Sequence, residues 1–465
     1  MPDNPAPGDH SARPGPRGPG DCRSFTEALH FLRTRPEGSD PRECMFGDLV
    51  DDLDTAETAA LCALTYFPQP LKVEHLAASA GAGSDESAAA MPETPGGAAH
   101  APLSVVEIER ALGRLAERAL VVPGDEFQSF TLPPGGADFL REKKPAMVAE
   151  IGDRLEKRAF EIIVVNGYGE HDLFPALEAA WPGIAPALAL FLAGDNARLQ
   201  IVCDALVVFL DVQGRWDESL ALFAKAEARA VAASDHERAG WRAYNAGWIH
   251  SLRQQSDAVL TCADRAAAHW EKAFSKGQGS PAGALKRASA MGLRGLGHQL
   301  KRDYPAAIAA YREALDLHRS FSAQSTNVAI DLNALADVER LSGDLAAAEG
   351  HYREALRVAR TVGYDEGVVI YTGNLADLAL YREDWPAAET LAREALSLPE
   401  AVHRPEFIAT DNHPPARDIV RQWKAAEALP HARLAVSIFT RLRSPELTRA
   451  QAILAECERV AGAGP

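Results

Sequence analysis

The residues in this chain that could do chemistry are carboxamides, carboxylates and aromatics, recurring on helical segments about 40 residues apart. Tyr244, Asn245 and Trp248 stand in one segment and Gln299 in the next. Asn333, Asp337 and Arg340 follow, and then Asn374, Asp377 and Tyr381. An asparagine side chain offers both donor and acceptor, so a row of them can grip an extended peptide backbone. Asp337 and Asp377 hold equivalent places in adjacent segments, so their carboxylates are expected to form a ladder. Arg340 is the one basic residue in the set. The set reads as a candidate peptide-binding groove for a protein or peptide of basic or amide-rich character. The competing reading is that these polar groups only satisfy helix ends and neighbouring segments.

Motifs for other chemistry are missing. There is no G-x-x-x-x-G-K-[ST], and the nearest glycine-rich stretch, KGQGSPAGALK (Lys276–Lys286), lacks the spacing and falls between helical patterns. Without that phosphate cradle no ATP hydrolysis is expected. No G-x-S-x-G or H-E-x-x-H occurs. His403, His413 and His431 are near in sequence but lack the i,i+4 spacing of a metal site. The six cysteines, Cys22, Cys44, Cys62, Cys203, Cys262 and Cys457, are far apart with no C-x-x-C pair. Cys62 and Cys203 lie on apolar helix faces and read as small core residues. No catalytic residue, metal or cofactor is expected, and the chain reads as a non-enzyme from a reduced, cytoplasmic setting.

Charge narrows the partners further. The 465 residues carry 48 Lys plus Arg against 65 Asp plus Glu, a formal net charge of −17, and the pI is near 5.3. An acidic chain is poorly suited to phosphate contacts or to an anionic membrane. No apolar run reaches the roughly 18 residues of a membrane span. The Pro/Gly-rich start lacks the apolar core of a signal peptide. The hydrophobic share is 47% with only 7% aromatics. Alanine, the best helix former, supplies much of that share, so an all-α fold is expected.

The elements that must position the polar set are internal repeats. RDYPAAIAAYREAL (Arg302–Leu315), GDLAAAEGHYREAL (Gly343–Leu356) and EDWPAAETLAREAL (Glu383–Leu396) align. Tyr304, Leu345 and Trp385 share one position, 41 and 40 residues apart. Ala307, Ala348 and Ala388 fit a tight helix crossing. Tyr311, Tyr352 and Leu391 fill the next layer, and Ala314, Ala355 and Ala395 the one after. An earlier copy has Trp216, Ser219, Phe223 and Ala226 in these roles, and a weaker one has Gly247, Val259, Ala263 and Ala266. KAAEALPHARLAVSI (Lys424–Ile438) reads as a late unit, preceded by a helix damaged by Pro414 and Pro415. Trp216 and Trp385 read as packing residues. Trp241 and Trp248, with Tyr244 between them, form an aromatic stripe, read first as inter-repeat packing and second as a ligand surface.

Upstream the pattern changes. Asp54 with Glu57 opens a helix over Thr55–Phe67, Val73–Ala80 is a short helix, and Ser104 with Glu107 opens another to Ala119. Val121–Leu132 reads as two short strands around a Pro-Gly-Asp turn. Three helices and a hairpin is the order of a winged helix. Its third helix has balanced charge, and residues 36–60 carry eight acids against Arg42 alone, so nucleic acid is not the expected partner.

The repeats resemble tetratricopeptide repeats (TPRs) with a longer period. The pairing of a winged helix with such repeats resembles the C-terminal part of STAND signal-transduction NTPases with NB-ARC-like cores. The stretches that carry this are LDTAETAALCALTYFPQPLKVEHLAA, ALGRLAERALVVPGDEFQSFTLPPGGADFLREKKP, RLQIVCDALVVFLDVQGRWDESLALFAKAEARA and HARLAVSIFTRLRSPEL. The resemblance implies a sensor arm whose winged helix packs on a nucleotide-binding domain, and a separate NTPase or effector chain as partner. Four divisions are expected: a disordered tail over 1–22, a winged-helix-like domain over 23–144 with a low-complexity loop at 80–102, connecting helices over 145–200, and a TPR-like α-solenoid over 201–462. The expected function is a protein-binding scaffold, the sensor or adaptor arm of a STAND-type system. The alternatives are a transcriptional regulator with a DNA-binding winged helix, or a truncated STAND NTPase.

Overall fold

The computed structural model describes residues 49–80, 104–124, 128–169, 173–275, 281–382, 384–396, 433, 436 and 447–462. The tail over 1–22, the loop beyond Ala80, Pro414 and Pro415, the three late histidines and most of Lys424–Ile438 lie outside the described residues. So do the side chains of Trp385 and Ala395. The chain divides into two compact units, Met1–Asn166 with Asp172–Ala193, and Gly167–His171 with Gly194–Pro465.

In the first unit α1 (Thr55–Ala63) starts at a full capping box, Asp54 with Glu57. β1 (Leu71–Lys72) leads into α2 (Val73–Ala80). Ser104 and Glu107 form a second capping box at the start of α3 (Val105–Glu117). Each box satisfies backbone N–H groups that the first helical turn leaves without partners. β2 (Val122–Pro123) and β3 (Ser129–Thr131) form the expected hairpin. The strand order is β1-β3-β2, with Leu71 opposite Phe130 and Val122 opposite Thr131, all antiparallel. β1 is an addition to the sequence reading. Two residues carry no alternation to detect, and pairing with β3 is what makes them a strand.

α4 (Gly136–Lys143), α5 (Pro145–Asn166), α6 (Phe174–Ile184) and α7 (Ala187–Ala193) complete this unit. α5 packs on α1 and α2. The Tyr66 hydroxyl donates to the Val148 carbonyl at 2.7 Å. Gly152 makes that approach possible, since a Cβ there would lie 2.2 Å from the same hydroxyl.

The second unit alternates first and second helices: α8 (Asn196–Val212) with α9 (Trp216–Ala232), α10 (His236–Leu252) with α11 (Ser256–Phe274), α12 (Pro281–Leu300) with α13 (Tyr304–Phe321), α14 (Thr326–Ser342) with α15 (Leu345–Val362), and α16 (Asp365–Tyr381) with α17 (Trp385–Leu396). α18 (Leu447–Gly462) closes the described chain. Consecutive helices pack on one another, and the first helices of successive pairs also touch. One pair cannot cover its own apolar face, so stacking builds a continuous core, as in solenoids. Ala307, Ala348 and Ala388 are buried, as are Tyr311, Tyr352, Ala314 and Ala355. In the earlier copies Trp216, Ser219, Phe223, Ala226, Val259, Ala263 and Ala266 are buried too.

Among the described residues, the turns of the first four pairs are made the same way. Gly214, Gln254, Arg302 and Gly343 all have positive φ and each stands two residues before a second helix. Glycine takes that conformation freely, whereas a side chain is strained in it by about 1–2 kcal/mol. Replacing Arg302 by glycine is therefore expected to stabilise the array. Glycine's larger unfolded-state entropy offsets part of the strain relief, leaving a net gain of about 0.5–1 kcal/mol. Urea denaturation checks this, and an unchanged or lowered midpoint would count against the shared turn geometry.

Candidate functional site: the first-helix face of the repeat array

The ten singled-out residues fall on the first helices, and four of them form one hydrogen-bonded chain. Asn374 Nδ2 on α16 donates to Asn333 Oδ1 on α14 at 2.8 Å. Asn333 Nδ2 donates to Asp337 Oδ2 at 3.3 Å. Asp337 Oδ1 accepts the Tyr352 hydroxyl at 2.5 Å, and Arg340 Nε donates to the Tyr352 oxygen at 3.4 Å. Burial pushes the Asp337 carboxyl above the usual range, and the Tyr352 hydroxyl bond pulls it part of the way back. Asp337 thus spends both oxygens inside the array. Asp377 lies one turn beyond Asn374, close enough for its charge to act on Arg340.

The remaining members sit differently. Gln299 Oε1 accepts the Tyr311 hydroxyl at 3.1 Å. Tyr244 is half-buried, edge-on to Trp241 at 5.5 Å and tilted against Trp270 at 6.1 Å. Asn245 is half-buried one residue along. Trp248 is 38% exposed, with its indole N–H donating to Asp211 Oδ2 at 3.2 Å. Tyr381 is 69% exposed at the end of α16. The aromatic stripe therefore divides: Trp241 and Tyr244 pack between repeats, while Trp248 presents itself to solvent.

Several polar residues were missed in the sequence. Asp211 joins the site because its other oxygen, Oδ1, accepts the Trp216 indole N–H at 3.2 Å. It stands five residues before its second helix, as Gln299 and Arg340 do, so the repeat register held a signal for it. His318 Nδ1 and Asp331 Oδ2 lie 2.5 Å apart, both buried. Burial raises the Asp331 carboxyl, with the His318 bond acting against it. Asp331 in turn acts with burial to raise the phenol of Tyr244, and with Asp337 that of Tyr311. Charges from α14 thus reach tyrosines of α10 and α13.

Among the described residues the buried Cys62 and Cys203 are poor nucleophiles. Burial pushes Cys62 up to about 12 and Cys203 to about 11, whereas reactive cysteines need a stabilised thiolate. Among the described residues no group of three His, Cys, Asp or Glu side chains could hold a metal ion. Also among the described residues, no single helix is long and apolar enough to cross a membrane.

Residues 286–361 and 332–401 match the family model of the tetratricopeptide repeat. These helix pairs are TPRs. The helix pairing extends to the N-terminal side with the same turn conformation at Gly214 and Gln254, and the step from Gln254 to Arg302 is eight residues longer than the 40 between Gly214 and Gln254. No curated protein sequence matches the chain. Among the solved structures similar to the chain are these three. A Rap protein complexed with competence and sporulation factor is 11% identical, TM-score 0.44, over 70% of this chain and 94% of that one. A STAND protein with a TPR sensor from Pyrococcus horikoshii is 13% identical, TM-score 0.38, over 94% of this chain and 69% of that one. The Rap conjugation gene regulator of plasmid pLS20, with the Phr* peptide, is 13% identical, TM-score 0.40, over 67% and 95%.

Proposed function

We propose that the chain is a non-enzymatic protein-interaction scaffold that holds an extended peptide segment on the first-helix face of its TPR array. The observation that carries this is the hydrogen bond that joins Asn374 to Asn333 on successive first helices. Asn374 uses one N–H toward Asn333, and among the described residues no donor reaches its carbonyl oxygen, which a ligand could take. A backbone amide presents the complementary pair, so Asn374 can bond it without losing its inward contact. Trp248 adds an exposed aromatic face on α10, an earlier first helix of the array, of the kind that anchors binding partners. A cation on the ligand would meet the negative charge of Asp377, which already acts on Arg340. This supports a basic or amide-rich partner.

Panning a random peptide library against the full chain tests the reading. Recovered peptides are expected to lose at least tenfold in affinity, about 1.4 kcal/mol, on Trp248→Ala and on Asn374→Ala. The melting temperature should hold. Peptides that bind both variants as well as the parent would move the interaction elsewhere.

We read the first unit, in the order α1-β1-α2-α3-β2-β3, as a winged helix that makes protein contacts. Arg114 on α3 donates to Glu57 at 2.6 Å and pairs with Asp54 at 2.7 Å, and Arg118 lies 3.7 Å from Glu57. Arginines bound to the chain's own carboxylates are poorly placed to neutralise phosphate, which supports an adaptor over a DNA reader. In that role the scaffold would be the sensor or adaptor arm of a STAND-type system acting with a separate NTPase or effector chain.

A further inference from the structure

The last described helix, α18, does not simply continue the stack. Its buried positions form a narrow stripe: Leu447, Leu454 and Ile453 are half-buried and Ala450 and Cys457 fully buried, while its other described side chains are exposed. Ala450 is 2% exposed because it packs in one apolar cluster with Trp216 and Ile249, edged by Leu220, Leu252, Val436 and Leu447. Trp216 and Leu220 open α9, and Ile249 and Leu252 close α10. The end of the chain thus comes back to the first helix pairs of the array.

Two properties make this contact a device rather than one more layer of core. First, among the described residues the stripe is thin. α15, by contrast, buries Ala348, Tyr352, Ala355, Leu356, Val358 and Ala359. An element held by a few apolar contacts opens at a lower free energy than the core it leans on. Second, the clasped surface is wired to the groove. Asp211 accepts from Trp216 through Oδ1 and from Trp248 through Oδ2, each at 3.2 Å. One carboxylate therefore holds both the indole under α18 and the indole on the ligand face. A ligand on Trp248 and a helix on Trp216 bias the same side chain, which is the physical requirement for coupling two sites.

We propose that α18 is a releasable intramolecular clasp on the first two helix pairs, and that its release is passed through Asp211 to Trp248. The clasp itself does not rest on peptide binding, and its test reads Trp216 directly. Hydroxyl-radical footprinting of the full chain gives the oxidation rate of each tryptophan. In the parent chain Trp216, 5% exposed, should be protected, as should Trp270, 2% exposed and in a separate cluster. Ala450→Glu puts a charge into the apolar contact. It is expected to raise oxidation of Trp216 several-fold and to shift that of Trp248, leaving Trp270 protected. Trp270 also reports that the array remains folded. Leu447→Asp, on the same stripe, should act alike, and Arg459→Ala, on the exposed face, should change nothing.

Protection of Trp216 that survives both stripe variants overturns the clasp. Protection in the parent chain that falls on dilution overturns it too, since the helix would then belong to a second copy. Exposure of Trp216 with no shift at Trp248 overturns the coupling through Asp211.

Discussion

Replacing Asp204 by alanine is expected to cost the repeat array about 3–5 kcal/mol, because it leaves a buried cation without its counter-charge. Arg242 is 0% exposed. Its Nη2 donates to Asp204, while its Nε and Nη1 find no acceptor. Its guanidinium carbon sits 5.8 Å from the centre of the Phe223 ring, a weak compensation. Asp204 also binds Arg238, but that side chain is 40% exposed and can rehydrate at little cost. Arg242 has no such escape. The double variant Asp204→Ala with Arg242→Met should recover most of the loss, because the apolar side chain fills the space without needing a partner. Urea denaturation of both single variants and the double closes the cycle. A cost below about 1 kcal/mol for Asp204→Ala would mean that water or another group already serves Arg242.

Trp270→Ala should be comparably severe, about 3–5 kcal/mol, through the cavity it opens. The indole is the centre of a cluster of aromatics, edge-on to Trp241 at 5.3 Å and tilted against Tyr244 at 6.1 Å. Its N–H donates to the Glu237 carbonyl at 3.1 Å. The ring lies so close over Gly240 that a Cβ there would come within 2.3 Å of Nε1. Lys286, whose ammonium sits 4.3 Å from the Trp241 ring centre, depends on the same cluster. Loss of Trp270 should therefore reduce near-UV circular dichroism as well as stability, and loosen Tyr244 on α10. Trp270→Phe, which keeps an aromatic ring in place, should lose much less. Thermal denaturation followed at both wavelength ranges distinguishes the two variants. Equal losses would deny the indole its special fit.

The repeats were legible because each copy states the same packing problem in the same order. A bulky residue, a small one at the crossing and an aromatic one turn later can be matched by eye, as Tyr304, Ala307 and Tyr311 match Leu345, Ala348 and Tyr352. Caps were legible for the same reason, since Asp54 with Glu57 and Ser104 with Glu107 act within a single turn. The polar set was legible as positions on the first helices but not as hydrogen bonds. Nothing in the spacing says that Asp337 would be taken by Tyr352 of the following helix, or that Asn374 would donate to Asn333 across 41 residues.

Local order thus came from the chain itself: the helices, their caps, the large-and-small register and the acidic balance that disfavours phosphate. These depend on residues a few positions apart, where geometry follows from the helical period alone. Long-range stacking decided the rest. It turned Arg242 inward onto Asp204 and His318 onto Asp331. It made β1 a strand by offering it Phe130. It also returned Ala450 to Trp216. A polar or small side chain on a helix looks the same in sequence whether it meets water or a neighbour. Only the accumulated rotation of one pair on the next determines which it meets.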